Sequence, residues 1–179
     1  MAIKWRVSLL ILLSAASLPL RSEVHPAAAD PVLAAGVRQT VAGIISYTRW
    51  PHLKGVPRLC VFRSATYAAA LDGIDAGPDL WQAIPVADVN QALAEQCDAL
   101  YFGQESQRQQ LEAIGAYLPR PLLTIAEQAA DCSAGSAFCL KFTDDRVDFS
   151  VNLDSLSRSG VRVHPDVLML ASAGSNRHG

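Results

Sequence analysis

Four cysteines and four histidines are all that the 179 residues offer of the usual metal- and redox-active side chains, and neither set is arranged for that chemistry. No two cysteines form a C-x2-C pair, and His25, His52, His164 and His178 are scattered along the chain. That argues against a zinc site and against a thioredoxin-type dithiol. No strand-like segment is followed by G-x-G-x-x-G, and G-x-x-x-x-G-K-[ST] does not occur, so no phosphate-cradling loop is encoded. The G-x-S-x-G elbow of serine hydrolases is missing too, because "AGSA" lacks the second glycine. Neither charge sign dominates: 15 Lys and Arg stand against 17 Asp and Glu, a formal net charge of −2. Such a balance gives no general attraction to nucleic acid or to anionic lipid. Aromatic content is modest at 7%, and no period of about 20 to 50 residues repeats, which excludes the common solenoids and propellers. The pair Asp144-Asp145 reads as a solvated hairpin tip rather than a general acid and base, and His52, beside "RWP", reads as a loop residue. These absences point away from an enzyme and away from a bound cofactor.

Long apolar runs are scarce as well. The one present extends from Val7 to Leu20, after Lys4 and Arg6 and before the small-residue stretch "PAAAD". Its length falls short of the roughly 20 residues that a helix needs to span a bilayer. The plan is that of a secretory signal peptide, covering residues 1–29 with cleavage after Ala29, or alternatively after Ser22. No cysteine lies near the cut to carry a lipid anchor. Loss of Lys4, Arg6 and Arg21 together with Glu23 would move the net charge from −2 to −4. The remainder, about 150 residues, suits one soluble domain with its own core and no membrane insertion. The expected organisation is a signal over 1–29, a domain over 30–173 and a disordered tail over 174–179.

Export changes the meaning of the cysteines, because an oxidising compartment permits disulfides that cytosolic thiols would reduce. Cys60, Cys97, Cys132 and Cys139 allow three pairings. The favoured one sets Cys132–Cys139 as a local clip around "SAGSAF" and Cys60–Cys97 as a long-range bond. Loop-entropy reasoning assigns about 2.5 kcal/mol to the short ring and about 4 kcal/mol to the long one.

Periodicity then supplies the elements. Leu33, Val37, Val41, Ile44 and Ile45 recur at helical steps behind Pro31, and Pro51 ends that helix after "RW". "RLCVF" (58–62), "AIPVADV" (83–89), "DALYFG" (98–103) and "PLLTIAE" (121–127) read as strands. Helices are expected over 64–74, with Ser64 as a possible cap, and over 104–118, with Leu111, Ile114 and Leu118 on the buried side. Strands alternating with helices imply a mostly parallel sheet flanked by helices. "FCLKF" and "VDFSVNL", separated by "TDDR", add a C-terminal antiparallel hairpin. "DSLSRSG" is a helical turn stopped by Gly160, "VRV" a short extended piece and "HPDVLML" a last helical turn. The fold class is therefore α/β, a single-domain layered sandwich with two disulfides.

One cluster suggests binding. Arg162 and His164 are two apart on an extended segment and leave the same face. Arg49 precedes Trp50, an exposed-looking aromatic. Brought together, Arg49, Arg162 and His164 would form a cleft for a planar anion or nucleotide, with guanidinium forks as bidentate donors. The plainer alternative is ordinary surface charge with local carboxylate partners.

The ending "GIISYTRWP" of the first helix, the four cysteines in this order and the block "GSAFCLKF…VDFSVNLDSLSRSGVRVHPDVLML" resemble the YfiR-like family of bacterial periplasmic proteins. The resemblance extends over nearly all of residues 30–173 and is most specific in the C-terminal block. It implies a small regulator that binds the periplasmic sensor domain of an inner-membrane diguanylate cyclase and holds it inactive. It further implies sequestration of the regulator by an outer-membrane lipoprotein, which frees the cyclase to make cyclic di-GMP and promote biofilm. A homodimer and the disulfide pairing favoured above are part of the same implication. The runner-up reading is a periplasmic small-molecule binding module.

Overall fold

Asp30 opens the first helix by accepting the Val32 and Leu33 amides on its Oδ1, at 2.8 and 3.2 Å, with Pro31 supplying a preset φ. This is a computed structural model, and it describes residues 29–72, 80–127 and 132–173. The expected signal, apart from its last residue, and the expected tail lie outside the described residues. Helix α1 (Pro31–Ser46) buries Val37, Val41, Ile44 and Ile45, as the spacing predicts. The chain continues through β1 (Thr48–Arg49), β2 (Arg58–Phe62), α2 (Ala68–Leu71), β3 (Gln82–Val86), α3 (Val89–Glu95) and β4 (Ala99–Phe102). Then follow α4 (Gln107–Tyr117), β5 (Leu123–Ala126), β6 (Phe138–Phe142), β7 (Val147–Val151), α5 (Leu153–Arg158), β8 (Arg162–Val163) and α6 (Val167–Ala173).

The main sheet has the order β3-β2-β4-β5-β6-β7. All neighbours are parallel except β6 and β7, which form the antiparallel hairpin. The inner strands are apolar on both faces because both faces are covered. Alternation divides them cleanly. Leu59, Val61, Tyr101, Leu123 and Ile125 pack with α1 on one side, whereas Cys60, Phe62, Leu100, Phe102 and Ala126 pack with α3 and α4 on the other. The mixed α/β sandwich and both bridges, Cys60–Cys97 and Cys132–Cys139, are as expected. Phe62 and Phe102, neighbours in the second layer, approach with ring centroids 5.0 Å apart.

Three local expectations are corrected. The helix expected over 64–74 is, among the described residues, the single turn α2. Ser64 does not cap it; its hydroxyl donates to Glu105 Oε1 at 2.6 Å. The strand expected over 83–89 ends at Val86 because Asp88 accepts the Gln91 amide at 2.9 Å and starts α3. The edge position of β3 also tolerates Pro85, which has no amide to donate. Finally, α4 buries Gln110, Ala113 and Tyr117 rather than Leu111 and Leu118, which are exposed, while Ile114 packs half-buried at the edge of the core. Polar anchors set that rotation: the Tyr117 hydroxyl donates to the Ala92 carbonyl at 2.6 Å, and Gln110 Oε1 accepts from Ser136.

Candidate functional site

The carboxyl ends of β2 and β4 flank the point where strand order reverses, the usual ligand crevice of an open α/β sheet. Here the chain fills it. A Cβ at Gly103 would lie 2.2 Å from the Ala65 nitrogen, so the loops after β2 and β4 touch through backbone. Glu105 ties them further, accepting from Ser64 on one oxygen and from the Gly103 amide, at 2.8 Å, on the other. Beneath them lies Glu127, a carboxylate with only 1% exposure. It accepts the Thr66 amide at 2.7 Å, the Tyr67 amide at 3.1 Å and the Tyr101 hydroxyl at 3.1 Å. Burial pushes the Tyr101 phenol far above its ordinary range, and the neighbouring Glu127 pushes it further. Nothing in the sequence marked Glu127 beyond its place at the end of an apolar strand; its work is to fix the turn into α2.

The residues left facing solvent are elsewhere. Helix α1 ends at Tyr47, and Thr48 turns inward, 1% exposed, with its hydroxyl donating to the Ile44 carbonyl at 2.8 Å. The chain then runs antiparallel to β8, with Thr48 opposite Val163 and Arg49 opposite Arg162. The His164 amide continues the ladder by donating to the Tyr47 carbonyl at 2.9 Å. Because side chains alternate along strands, Thr48 and Val163 take the core side, and Arg49, Arg162 and His164 take the outer one. The sequence could not show that Arg49 would oppose Arg162; the register does.

On that ribbon Arg49 Nη1 donates to the Ser46 and Thr48 carbonyls at 2.7 and 2.8 Å. Among the described residues neither Arg49 nor Arg162 forms an ion pair. His164 Nδ1 lies 3.4 Å from Asp166 Oδ2, and its ring centroid is 6.2 Å from that of Tyr47. Trp50 is half-buried rather than exposed: its ring packs against the core and its indole N–H donates to the Asp98 carbonyl at 2.8 Å, while it still lines a recess together with Arg49. Tyr47, which the sequence reading left unassigned, is also half-buried against the core, with its ring beside that of His164. His52 sits exposed in the loop with φ of 79°, and Asp144-Asp145 occupy the exposed tip of the β6–β7 hairpin, closed by the Thr143 amide on the Arg146 carbonyl at 2.9 Å.

A family model described as YfiR/HmsC-like matches residues 35–172. The chain belongs to that family. The matched span runs from α1 into α6 and so takes in the four cysteines, the whole six-stranded sheet and the β1–β8 ribbon. In this YfiR/HmsC-like chain the two bridges serve different layers. Cys60–Cys97 lies inside the layer of α3 and α4, while Cys132–Cys139 closes the connection between the parallel strands β5 and β6. Among the described residues no helix is long and apolar enough to cross a membrane.

Proposed function

We propose that this protein is a periplasmic repressor that binds the periplasmic sensor domain of an inner-membrane diguanylate cyclase and holds it inactive, lowering cyclic di-GMP and biofilm formation. The observation that carries this reading is the family match over residues 35–172. Two disulfides support it, since such bonds persist in an oxidising compartment. On this reading the protein acts by contact rather than catalysis, works as a homodimer and is itself sequestered by an outer-membrane lipoprotein. Deleting the gene should raise cyclic di-GMP and surface attachment, and the rise should vanish when the partner cyclase is also inactivated. An unchanged cyclic di-GMP level in the deletion strain would refute repression.

The β1–β8 register favours a second reading, in which Arg49, Arg162 and His164 hold a planar anion or nucleotide. Two guanidiniums set opposite each other suit bidentate contacts to a carboxylate or phosphate, and Trp50 lines a recess beside Arg49. Calorimetry with nucleotides and aromatic carboxylates should detect binding that weakens as salt rises. Arg162→Ala and His164→Ala should each reduce it. Parent-like binding by both variants would leave the ribbon as ordinary surface charge.

A further inference from the structure

Helix α4 buries one row of side chains fully and leaves the next largely open, with only Ile114 of that second row reaching the core. Gln110, Ala113 and Tyr117 face the sheet. Leu111, Ile114 and Leu118 follow each of them by one residue, a rotation of about 100°. Leu111 and Leu118 keep 47% and 63% of their surface exposed, a poor use of leucine unless the row faces something else. It faces a recess of about 110 Å³ shared with Leu122 before β5 and with Ser155, Arg158 and Ser159 of the α5 segment.

The base of the recess is held in place. Thr124 and Gly135 line it, and Thr124 Oγ1 accepts the Ala137 amide at 2.9 Å. Gln110 Oε1 clamps Ser136 through its amide at 3.2 Å and its hydroxyl at 2.8 Å. Gly135 has φ of 87°, and a Cβ there would meet Gln110 Oε1 at 2.7 Å, so only glycine lets this loop approach α4 so closely.

Two cations belong to the same recess. The Arg120 guanidinium lies 5.7 Å from the Tyr117 ring centroid, donates to the Gln96 carbonyl at 3.1 Å, and pairs with no carboxylate among the described residues. Arg158 pairs with Asp154, both of them largely exposed. Apolar walls with exposed guanidiniums select an amphipathic anion. The recess, about 110 Å³ and open to solvent, has room for the short tail of a small amphiphile and not for a long acyl chain.

We propose that the α4–α5 recess is a binding site for a short-chain carboxylate, its tail against Leu111, Ile114, Leu118 and Leu122 and its head on Arg120 and Arg158. The site shares no lining residue with the Arg49–Arg162–His164 ribbon and stands or falls independently of the cyclase reading. The test is an amide NMR titration of the disulfide-bonded domain with hexanoate, hexanol and hexylammonium as probes. Hexanoate should give saturable shifts at Leu111, Ile114, Leu118, Leu122 and Thr124. Hexanol should bind at least about fivefold more weakly, and hexylammonium more weakly still, as expected for loss of a charge-assisted head contact. Arg120→Ala and Arg158→Ala should each weaken hexanoate by a similar factor. Leu118→Asp, at a largely exposed position, should abolish binding while leaving the spectrum folded. Absence of saturation, equal affinity for hexanol, or shifts confined to the β1–β8 ribbon would overturn the proposal.

Discussion

Removing the two bridges one at a time should give unequal losses, and the structure says by how much. Cys60–Cys97 closes a sequence separation of 37 residues, whereas Cys132–Cys139 closes 7. In the loop-entropy relation these correspond to about 4 and about 2.5 kcal/mol, a gap of about 1.5 kcal/mol. Burial widens it. Cys60 and Cys97 have no exposed surface and pack beside Phe62, Ala92, Leu100 and Tyr117, so replacing both by alanine leaves a void that its neighbours cannot collapse into without cost. Cys132 is half-buried in a loop, so of the short clip only Cys139, buried in β6, leaves a gap in the interior. The Cys60→Ala/Cys97→Ala protein should therefore lose about 4–5 kcal/mol and the Cys132→Ala/Cys139→Ala protein about 2.5 kcal/mol. The assay is equilibrium urea unfolding followed by near-ultraviolet circular dichroism. Free energies must come from fitted slopes, because removing a crosslink expands the unfolded chain and steepens the dependence on denaturant. Equal losses, or a larger loss from the short clip, would refute the reasoning.

Three further outcomes follow from the buried network. Glu127→Ala should destabilise by about 2–4 kcal/mol, because the Thr66 and Tyr67 amides and the Tyr101 hydroxyl lose their acceptor; urea unfolding checks it, and a change under about 1 kcal/mol would contradict it. Gly103→Ala should cost about 3 kcal/mol or more, since the new methyl would meet the Ala65 backbone rather than a side chain that can move; a parent-like melting temperature would refute the closed crevice. Alkaline pH should unfold the protein through its tyrosines. Burial raises the phenols of Tyr101, Tyr117 and Tyr67, so the folded state keeps protons that the unfolded chain releases near pH 10. Stability should not depend on these groups below that pH, and above it should fall by about 1.4 kcal/mol per pH unit for Tyr101 alone. Absorbance at the phenolate band should rise together with unfolding, and a folded protein with all its tyrosines ionised at pH 11 would exclude this account.

The strands that were legible in the sequence are those buried on both faces. "RLCVF" and "ALYF" need no partner to be recognised, because uninterrupted apolar runs of that length suit little else in a chain of alternating elements. The same logic could not orient α4. Its leucines and isoleucine outrank Gln110 and Ala113 in hydrophobicity, yet the rotation is set by where one phenol and one amide find partners, at Ala92 and Ser136. Those partners lie 25 and 26 residues away, beyond any window of periodicity. Helix α3 escaped notice for another reason: its apolar stripe of Val89, Ala92 and Leu93 is confined to a helix of 7 residues, and Val89 falls inside the strand expected over 83–89.

The ribbon was half legible. Alternation alone placed Arg162 and His164 on one face, a statement about two residues on one strand. Adding Arg49 required a strand of two residues, β1, whose existence depends on β8 more than a hundred positions later. Trp50 was half legible too: it lines a recess with Arg49, but its indole bond to the Asp98 carbonyl, 48 residues away, lies beyond any sequence window. Across an alternating strand neighbours point apart, which sends Arg49 away from the core side that Thr48 takes. The inward turn of Thr48, with its hydroxyl on the Ile44 carbonyl, fixes that parity. Any ligand or partner surface that meets the ribbon therefore encounters two guanidiniums and an imidazole, while the indole N–H donates to Asp98 and holds the segment against the sheet.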